Sequence, residues 1–371
     1  MKSKHLHIIT LSIPYPPDYG GAIDVFYKLK SLYESGVKII LHCFEYSRHH
    51  SEELNKYCEQ VYYYQRKTGI ASQLSFVPYI VKSRQCQKLL DRLSEDDYPI
   101  LFEGLHTVIY LGHPALKGRK QWVRAHNIEH DYYNSLSRAE GQIYKKIYFK
   151  IEAWKLKKYS AQLALADGVM AISQDDAAEL KKTNSNTFLI PAFHGYTKIS
   201  SLTGKGDYIL YHGDLSVAEN NFSAEFVIDL CKELPFKLII AGKKPQKQLK
   251  NLISQSPNIE LIENPDSDKM EQLVQNAGVI LLPAKQTTGL RLKLLVSLFT
   301  GRHCIASPEM VINTGLEKLC HIAVGKDEWQ KTINLCMNTP FEECHISQRI
   351  EPLKKYLDHS NAQEIIKLVF Q

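Results

Sequence analysis

The sequence predicts an α/β protein made of two doubly wound domains, each built on a parallel sheet. Three observations carry this expectation. Short apolar runs alternate with longer amphipathic ones, which is the rhythm of βαβ units. That rhythm stops once, near residues 191–207, and then resumes. The chain has 371 residues, enough for two domains that each bury a full core.

In the first half the candidate strands are "LHIITLSI", "VKIILHCF", "QVYYY", "PILFEG", "QWVRA" and "GVMAIS". They are nearly continuous apolar runs, as strands covered on both faces require. Between the first two lies "AIDVFYKLKSLYESG", an amphipathic helix with Gly36 placed to close it. The stretch "PAFHGYTKISSLTGKGD" is rich in Gly, Ser and Thr and has no clear period, so it reads as an interdomain linker. A second series follows: "YILYHGD", "FKLIIAGK", "NIELIEN", "GVILLPA", "RHCIAS" and "HIAVG". "NAQEIIKLVF" ends the chain as a helix with Ile365, Ile366, Val369 and Phe370 on one side. The expected boundaries are 1–195 for the first domain, 205–350 for the second and 351–371 for a closing helix. Two such sheets would face each other across a cleft lined by the carboxyl ends of their strands.

Composition narrows the function classes. Hydrophobic content of 44% and charged content of 23% are ordinary for a soluble globular protein. A net charge of +6 over this length does not argue for nucleic acid; it suits an anionic small ligand or a loose hold on anionic lipid. None of the eight cysteines forms a CxxC, and no His-rich cluster accompanies them, so buried reduced thiols are expected and a zinc site or disulfide framework is not. The basic then apolar N-terminus has a short apolar run that ends in a Pro-rich turn, without a small-residue cleavage site, and reads as a first strand. No run approaches the roughly 18 apolar residues of a spanning helix. The expectation is a cytoplasmic protein.

Five motifs hold candidate chemistry. "PYPPDYGGA" follows the first strand, and its adjacent Gly20 and Gly21 let backbone approach a ligand at a helix start, although a plain tight turn has the same signature. "WVRAHNIEHDYY" sets Arg124, His126, Asn127, Glu129 and His130 directly after a strand, where polar groups face a ligand. His126 has the chemistry to bond a sugar hydroxyl or to stabilise a developing charge. In "IYKKIYFKIEAWKLKKY", Ile143, Ile147, Ile151 and Trp154 share one helix face, with Lys146, Lys150 and Lys157 on another. The leading expectation is a core-facing stripe under a solvated basic face; the alternative is a surface resting on anionic headgroups. "YHGDLSVAENN" places Gly213 in a sharp turn after a strand, with Asn220 and Asn221 as helix caps. Finally, "TTGLRLKLLVSLFTGR" brings Arg291 and Lys293 to the mouth of an apolar helix, whose N-terminus carries a partial charge of roughly +0.5 and free N–H groups. Together they make an anion site suited to a diphosphate leaving group. Residues two apart point about 200° away from each other on a helix, so both reach one anion only if the helix begins near Lys293 or the side chains bend.

With these parts in this order, the chain resembles the GT-B glycosyltransferases, and among them the retaining family-four type. The likeness runs over nearly the whole chain and rests on "PPDYGG", "RAHNIEHDYY", "LADGVMAISQDDAAEL", "HGDLS" with the following "NN", and "GLRLKLLVSLFTGRHCIAS". It implies two Rossmann-like domains, a first that holds most of the acceptor and a second that holds a nucleotide-diphosphate sugar. Carried over by position, Gly20, Gly21, Asn127 and Glu129 would line the acceptor loop and His126 would contact the transferred sugar. Gly213, Thr288, Gly289, Arg291 and Lys293 would hold the donor, with Glu263 contributing to the nucleotide pocket. No metal and no cofactor is implied. Two departures stand out. Where many members have a basic pair after the glycine of the second domain's first loop, this chain has Asp214 and Asn220. Where the pattern has a glutamate that holds the nucleotide ribose, it has Val296.

The expected function is therefore retaining transfer of a hexose to a glycan or lipid-linked acceptor, in surface-polysaccharide or lipopolysaccharide assembly, with no nucleic-acid partner and with peripheral membrane association as the alternative to a freely cytoplasmic chain. The competing expectation is an inactive GT-B subunit that binds a partner or a glycan, having lost the ribose glutamate. An NAD-dependent oxidoreductase is disfavoured, because neither half has G-x-G-x-x-G after its first strand.

Overall fold

The structure is a computed structural model, and it describes residues 4–285 and 291–371. The chain divides into two units. The first comprises residues 1–195 with 358–371, and the second comprises most of 196–357.

The first unit is built on seven parallel strands: β1 (Lys4–Thr10), β2 (Val37–Glu45), β3 (Gln60–Gln65), β4 (Ile100–Glu103), β5 (Gln121–Ala125), β6 (Gly168–Ala171) and β7 (Thr187–Leu189). Their order in the sheet is β3-β2-β1-β4-β5-β6-β7. The strand direction of travel reverses between β1 and β4, which makes their carboxyl ends the switch point where such sheets bind ligands. Each strand expected from the sequence is present; β7 was missed, since three residues give no readable period. The helix Gly20–Glu34 ends as expected, with Gly36 at a φ of 82° that costs little only for glycine.

One side of this sheet is covered by Val25, Leu29 and Leu32 of that helix together with Ala362, Ile365, Ile366 and Val369 of the C-terminal helix Asp358–Phe370. Burying each such side chain is worth roughly 1.5–3 kcal/mol. Asp358 at the start of that helix accepts hydrogen bonds from the backbone N–H groups of His194 (3.0 Å) and Gly195 (2.8 Å), so the last helix closes the first unit. The segment before it, through Leu357, stays with the second unit, so the expected closing element 351–371 divides at Asp358.

The second unit has six parallel strands: β8 (Ile209–Asp214), β9 (Leu238–Lys243), β10 (Ile259–Glu263), β11 (Val279–Leu282), β12 (His303–Ala306) and β13 (His321–Ile322). Their order is β10-β9-β8-β11-β12-β13, with the switch point between β8 and β11. Residues 191–208 contain neither helix nor strand, apart from an isolated bridge of Gly204 to Phe341. All eight cysteines are free thiols, and five of them are buried.

The helix Ile143–Tyr159 departs from expectation. Its buried residues are Glu152, Ala153 and Leu156, whereas Ile143, Ile147, Ile151 and Trp154 are each more than half exposed. The cause is Glu152. Its carboxylate accepts the backbone N–H of Tyr79 (2.8 Å) and pairs with Lys155, which turns the polar position inward and the apolar stripe outward.

Candidate functional site

In the first unit the switch point holds a buried ionic cluster. Asp24 and Lys28, one turn apart in the helix Gly20–Glu34, meet Glu103 at the end of β4 and Arg124 in β5. The Lys28 Nζ donates to Asp24 (3.0 Å) and to Glu103 (2.9 Å). Arg124 donates to Asp24 (2.9 Å) and to the carbonyls of Ile190 (2.7 Å) and Pro191 (3.0 Å), while the Phe193 N–H bonds Asp24 (2.9 Å). All four side chains are fully buried. Burial opposes ionisation of Asp24 and Glu103, but the facing cations win: Arg124 and Lys28 hold Asp24 well below the usual carboxylate range, and Lys28 with His126 lowers Glu103.

His126, the first residue after β5, is held by this cluster. Its Nε2 lies 2.8 Å from Glu103, so the carboxylate assigns the ring proton to Nε2 and leaves Nδ1 as an acceptor. The Nδ1 faces Gly21. A Cβ on Gly21 would crowd the Tyr19 ring at 3.1 Å and reach ordinary contact with the imidazole at 3.9 Å. Gly20 opens the helix beside it, and Asn127 is half-buried in the following turn. Asp24, Glu103 and His126 have the spacing of a metal triad. The two carboxylates are already neutralised by Lys28 and Arg124, however, and a divalent ion placed there would face both cations at close range.

Glu129 is buried at the start of the helix Glu129–Ala139. Burial pushes its carboxyl up from the usual 4.5 to about 7, against Arg84 and with help from Asp176. The His106 Nδ1 lies 3.8 Å away.

In the second unit, Gly213 and Lys293 come together. The ammonium lies 2.7 Å from where a Gly213 Cβ would stand, so a side chain there would push it out of this position. Nζ donates to the Asn220 side-chain oxygen (2.6 Å) and to the Tyr211 hydroxyl (3.3 Å). Among the described residues no carboxylate pairs with it. Burial draws its pKa down to about 8, against the more distant Glu219 and Asp214. Asn220 and Asn221 are not caps: they lie inside the helix Ala218–Cys231, and the Asn220 amide donates to the Asp214 carbonyl (2.8 Å). The side chain that was expected to cap therefore positions the lysine.

Arg291 is the N-cap of the helix Leu292–Thr300, with its guanidinium on the Ile312 carbonyl. Arg291 and Lys293 thus use different partners. Glu263 is exposed at the end of β10 and pairs with Lys250 (2.6 Å). Val296, three residues after Lys293, is half-buried against the core. Thr288 and Gly289 lie outside the described residues. Asp24, Lys28 and Glu103 were missed in the sequence; their signal was a Lys four residues after an Asp in an apolar helix face, and a Glu ending an otherwise apolar strand.

No protein-family model matches the chain. An uncharacterized 44.6 kDa protein of the cps region of Klebsiella pneumoniae is 25% identical over 341 residues, which cover 86% of this chain and 87% of that one. Among solved structures, the lipopolysaccharide outer core galactosyltransferase WaaB in its apo form is similar with a TM-score of 0.66 at 13% identity over 99% of each chain. S. aureus TarM, as a mutant in complex with Fondaparinux, alpha-GlcNAc-glycerol and UDP, gives 0.67 at 10% identity over 99% of this chain and 100% of that one. A glycosyltransferase from Rickettsia africae gives 0.62 at 13% identity over the whole of both chains. These likenesses show the fold: two Rossmann-like parallel-sheet domains in the GT-B arrangement of elements.

Two outcomes follow from the buried charges. Lys28→Met leaves two buried carboxylates facing one guanidinium and should cost about 3–5 kcal/mol in urea unfolding; a change under about 1 kcal/mol would mean the cluster is solvated. For Glu129 the native pKa is raised, so its contribution is full below about 4.5 and is lost as pH rises through about 7. The stability of the native chain relative to Glu129→Gln should therefore fall between pH 5 and 8, by on the order of 3 kcal/mol, and a flat difference across that window would refute the assignment.

Proposed function

We propose that the chain is a retaining glycosyltransferase that moves a hexose from a nucleotide-diphosphate sugar to a glycan or lipid-linked acceptor. Lys293 carries the reading. It is an ammonium drawn out of water beside a glycine at a sheet's switch point, at the start of a helix, with an amide oxygen and a hydroxyl rather than a carboxylate as partners. Such a site is completed by an anion. The GT-B likenesses support a diphosphate; the name of one of them, a lipopolysaccharide outer core enzyme, and that of the uncharacterized relative from a cps region support a surface-glycan pathway.

In this reading the bond from the anomeric carbon to the diphosphate oxygen breaks, and its electron pair leaves with the nucleoside diphosphate. Lys293, the first N–H groups of its helix and the charge of Arg291 neutralise that leaving group. The acceptor hydroxyl attacks the same face of the sugar, and its proton passes to the departing diphosphate oxygen. The His126 Nδ1 is offered to a sugar hydroxyl. The ribose, without a glutamate at Val296, is held by other groups.

Membrane association belongs to the same reading. Ile143, Ile147, Ile151 and Trp154 are exposed beside Lys146, Lys150 and Lys157. The Lys155 Nζ holds the Ser75 carbonyl (3.0 Å), which brings the exposed Leu74 and Phe76 to the same helix. Among the described residues no helix is long and apolar enough to cross a membrane. The face has the composition of an interfacial helix that lies on anionic headgroups, on the cytoplasmic side where the nucleotide sugars are.

A panel of UDP, GDP and their sugars should raise the melting temperature of the chain, and Lys293→Ala should abolish the shift. Because the free ammonium titrates near 8 and the bound one must be charged, affinity should be full at pH 7 and fall between pH 8 and 9. Val296→Glu should tighten nucleotide binding. Silence of the native chain across the panel at millimolar ligand would instead favour the glycan-binding scaffold. In co-sedimentation, vesicles of phosphatidylglycerol should retain the chain and vesicles of phosphatidylcholine should not, and Ile147→Asp with Trp154→Asp should release it; equal retention of native and double variant would exclude this face.

A further inference from the structure

At the carboxyl ends of β1, β2 and β3 the first unit holds a cavity of about 480 Å³ that the sequence did not reveal. Tyrosine and phenylalanine rings form much of its wall, and among the described residues no Asp, Glu or Lys lines it. Two of its guanidinium groups lack a carboxylate. Arg66, just past β3, lies between the rings of Tyr46 (4.6 Å) and Tyr79 (5.0 Å) and donates its Nε to the Ser83 hydroxyl (2.9 Å). Arg84 is buried, and every hydrogen bond of its guanidinium goes to the backbone carbonyls of Leu11 (2.8 and 3.1 Å) and Ile80. The third, Arg48, is already neutralised by Asp18. His106 adds a buried Nδ1 without a hydrogen-bond partner.

The buried Arg84 loses its hydration and is repelled by the half-buried Arg66, which is costly because the carboxyl that acts on it, Glu129, is itself pushed up to about 7 by burial. Burial, then Arg66, draws the Arg84 pKa down to about 9, which is the same cost expressed as proton affinity. A carbonyl cage cannot balance a full charge, whereas an oxyanion can, and the fork of a guanidinium fits a carboxylate or phosphate with two parallel bonds. The tyrosine rings stack on Arg66 and hold its fork in place while offering flat apolar surface to the C–H face of a sugar ring. The cavity is large enough for one or two such rings.

We propose that this pocket binds a negatively charged sugar, with its carboxylate or phosphate held between Arg66 and Arg84 and its ring against the tyrosines. The ligand's role as the acceptor of transfer rests on the glycosyltransferase reading; the oxyanion site does not. The acceptor would then be an acidic glycan unit, either a uronate or a sugar phosphate.

The test measures binding to the full chain by calorimetry, with D-glucuronate, glucose 1-phosphate, glucose and inorganic phosphate as probes. One or both sugar anions should bind in the millimolar range or tighter, and which one does so separates carboxylate from phosphate. Glucose and inorganic phosphate should bind at least tenfold more weakly. Arg66→Gln should lose at least tenfold in affinity for the sugar anion, and Arg66→Lys should recover part of it. Arg66→Gln should leave UDP or GDP binding unchanged, which also shows that the variant folds. Glucose binding as tightly as the anions, no binding of either anion, or unaltered anion binding by Arg66→Gln would each overturn the proposal. Anion binding by a chain that takes no nucleotide would keep the pocket and sink the transferase.

Discussion

The buried quartet of Asp24, Lys28, Glu103 and Arg124 is the constraint on which the first unit depends. Each of its members would be ruinous alone, since an isolated charge out of water costs many kcal/mol. Together they balance, and the geometry that balances them fixes a helix against the ends of β4 and β5. The network also reaches the chain that leaves β7, because Arg124 and Asp24 take up the Ile190 and Pro191 carbonyls and the Phe193 N–H. The imidazole of His126 inherits its orientation from this arrangement through Glu103. A catalytic or binding group aimed by a buried ion network needs no contribution from flexible surface groups to stay in register.

The two units solve a similar problem with the same device. In each, a glycine near the carboxyl end of the first strand lies beside a nitrogen from another element: the His126 Nδ1 near Gly21, at the start of the following helix, and the Lys293 Nζ over Gly213, within β8. In each, the functional group is held by a neighbour that leaves one side open. The carboxylate on His126 makes it an acceptor, and the amide oxygen and hydroxyl on Lys293 leave its charge unspent. A glycine thus stands beside an imidazole in one unit and beside an ammonium in the other.

The sheets were legible because a parallel strand covered on both faces must be apolar throughout, and runs such as "VKIILHCF" leave no second interpretation. That Gly213 and Lys293 come together was legible because both stand at the carboxyl side of strands, where polar residues are otherwise unexplained. Other features were not readable in one dimension. Helical spacing placed Ile143, Ile147, Ile151 and Trp154 on one face but could not say which way the face pointed, and that was decided by a single bond from Tyr79 to Glu152, 73 residues apart. Asn220 looked like a cap because caps are local, whereas its partner Lys293 is equally distant, 73 residues along the chain. The arginine pocket draws on the loops of several strands and on three helices, so no window of sequence contains it.

Charge placement links these features to function. The chain carries a net charge of +6, which dispersed over a surface would be unremarkable. Its informative cations are not dispersed. Lys293 in one sheet and Arg66 and Arg84 in the other stand at carboxyl strand ends, withdrawn from water, and bond amide, hydroxyl or carbonyl groups where a stability-driven design would have supplied carboxylates. The quartet shows that this sequence does supply them where charge balance is the aim: Lys28 pairs with Asp24 and Glu103, and Arg124 with Asp24. In the proposed reading, the withheld carboxylates mark positions where a ligand would bring the counter-charge. A replacement of Asn220 by Asp would satisfy Lys293 permanently, and the same substitution would fill the anion site with the protein's own charge. Stability and anion binding are opposed at that residue, and the sequence has the neutral side chain.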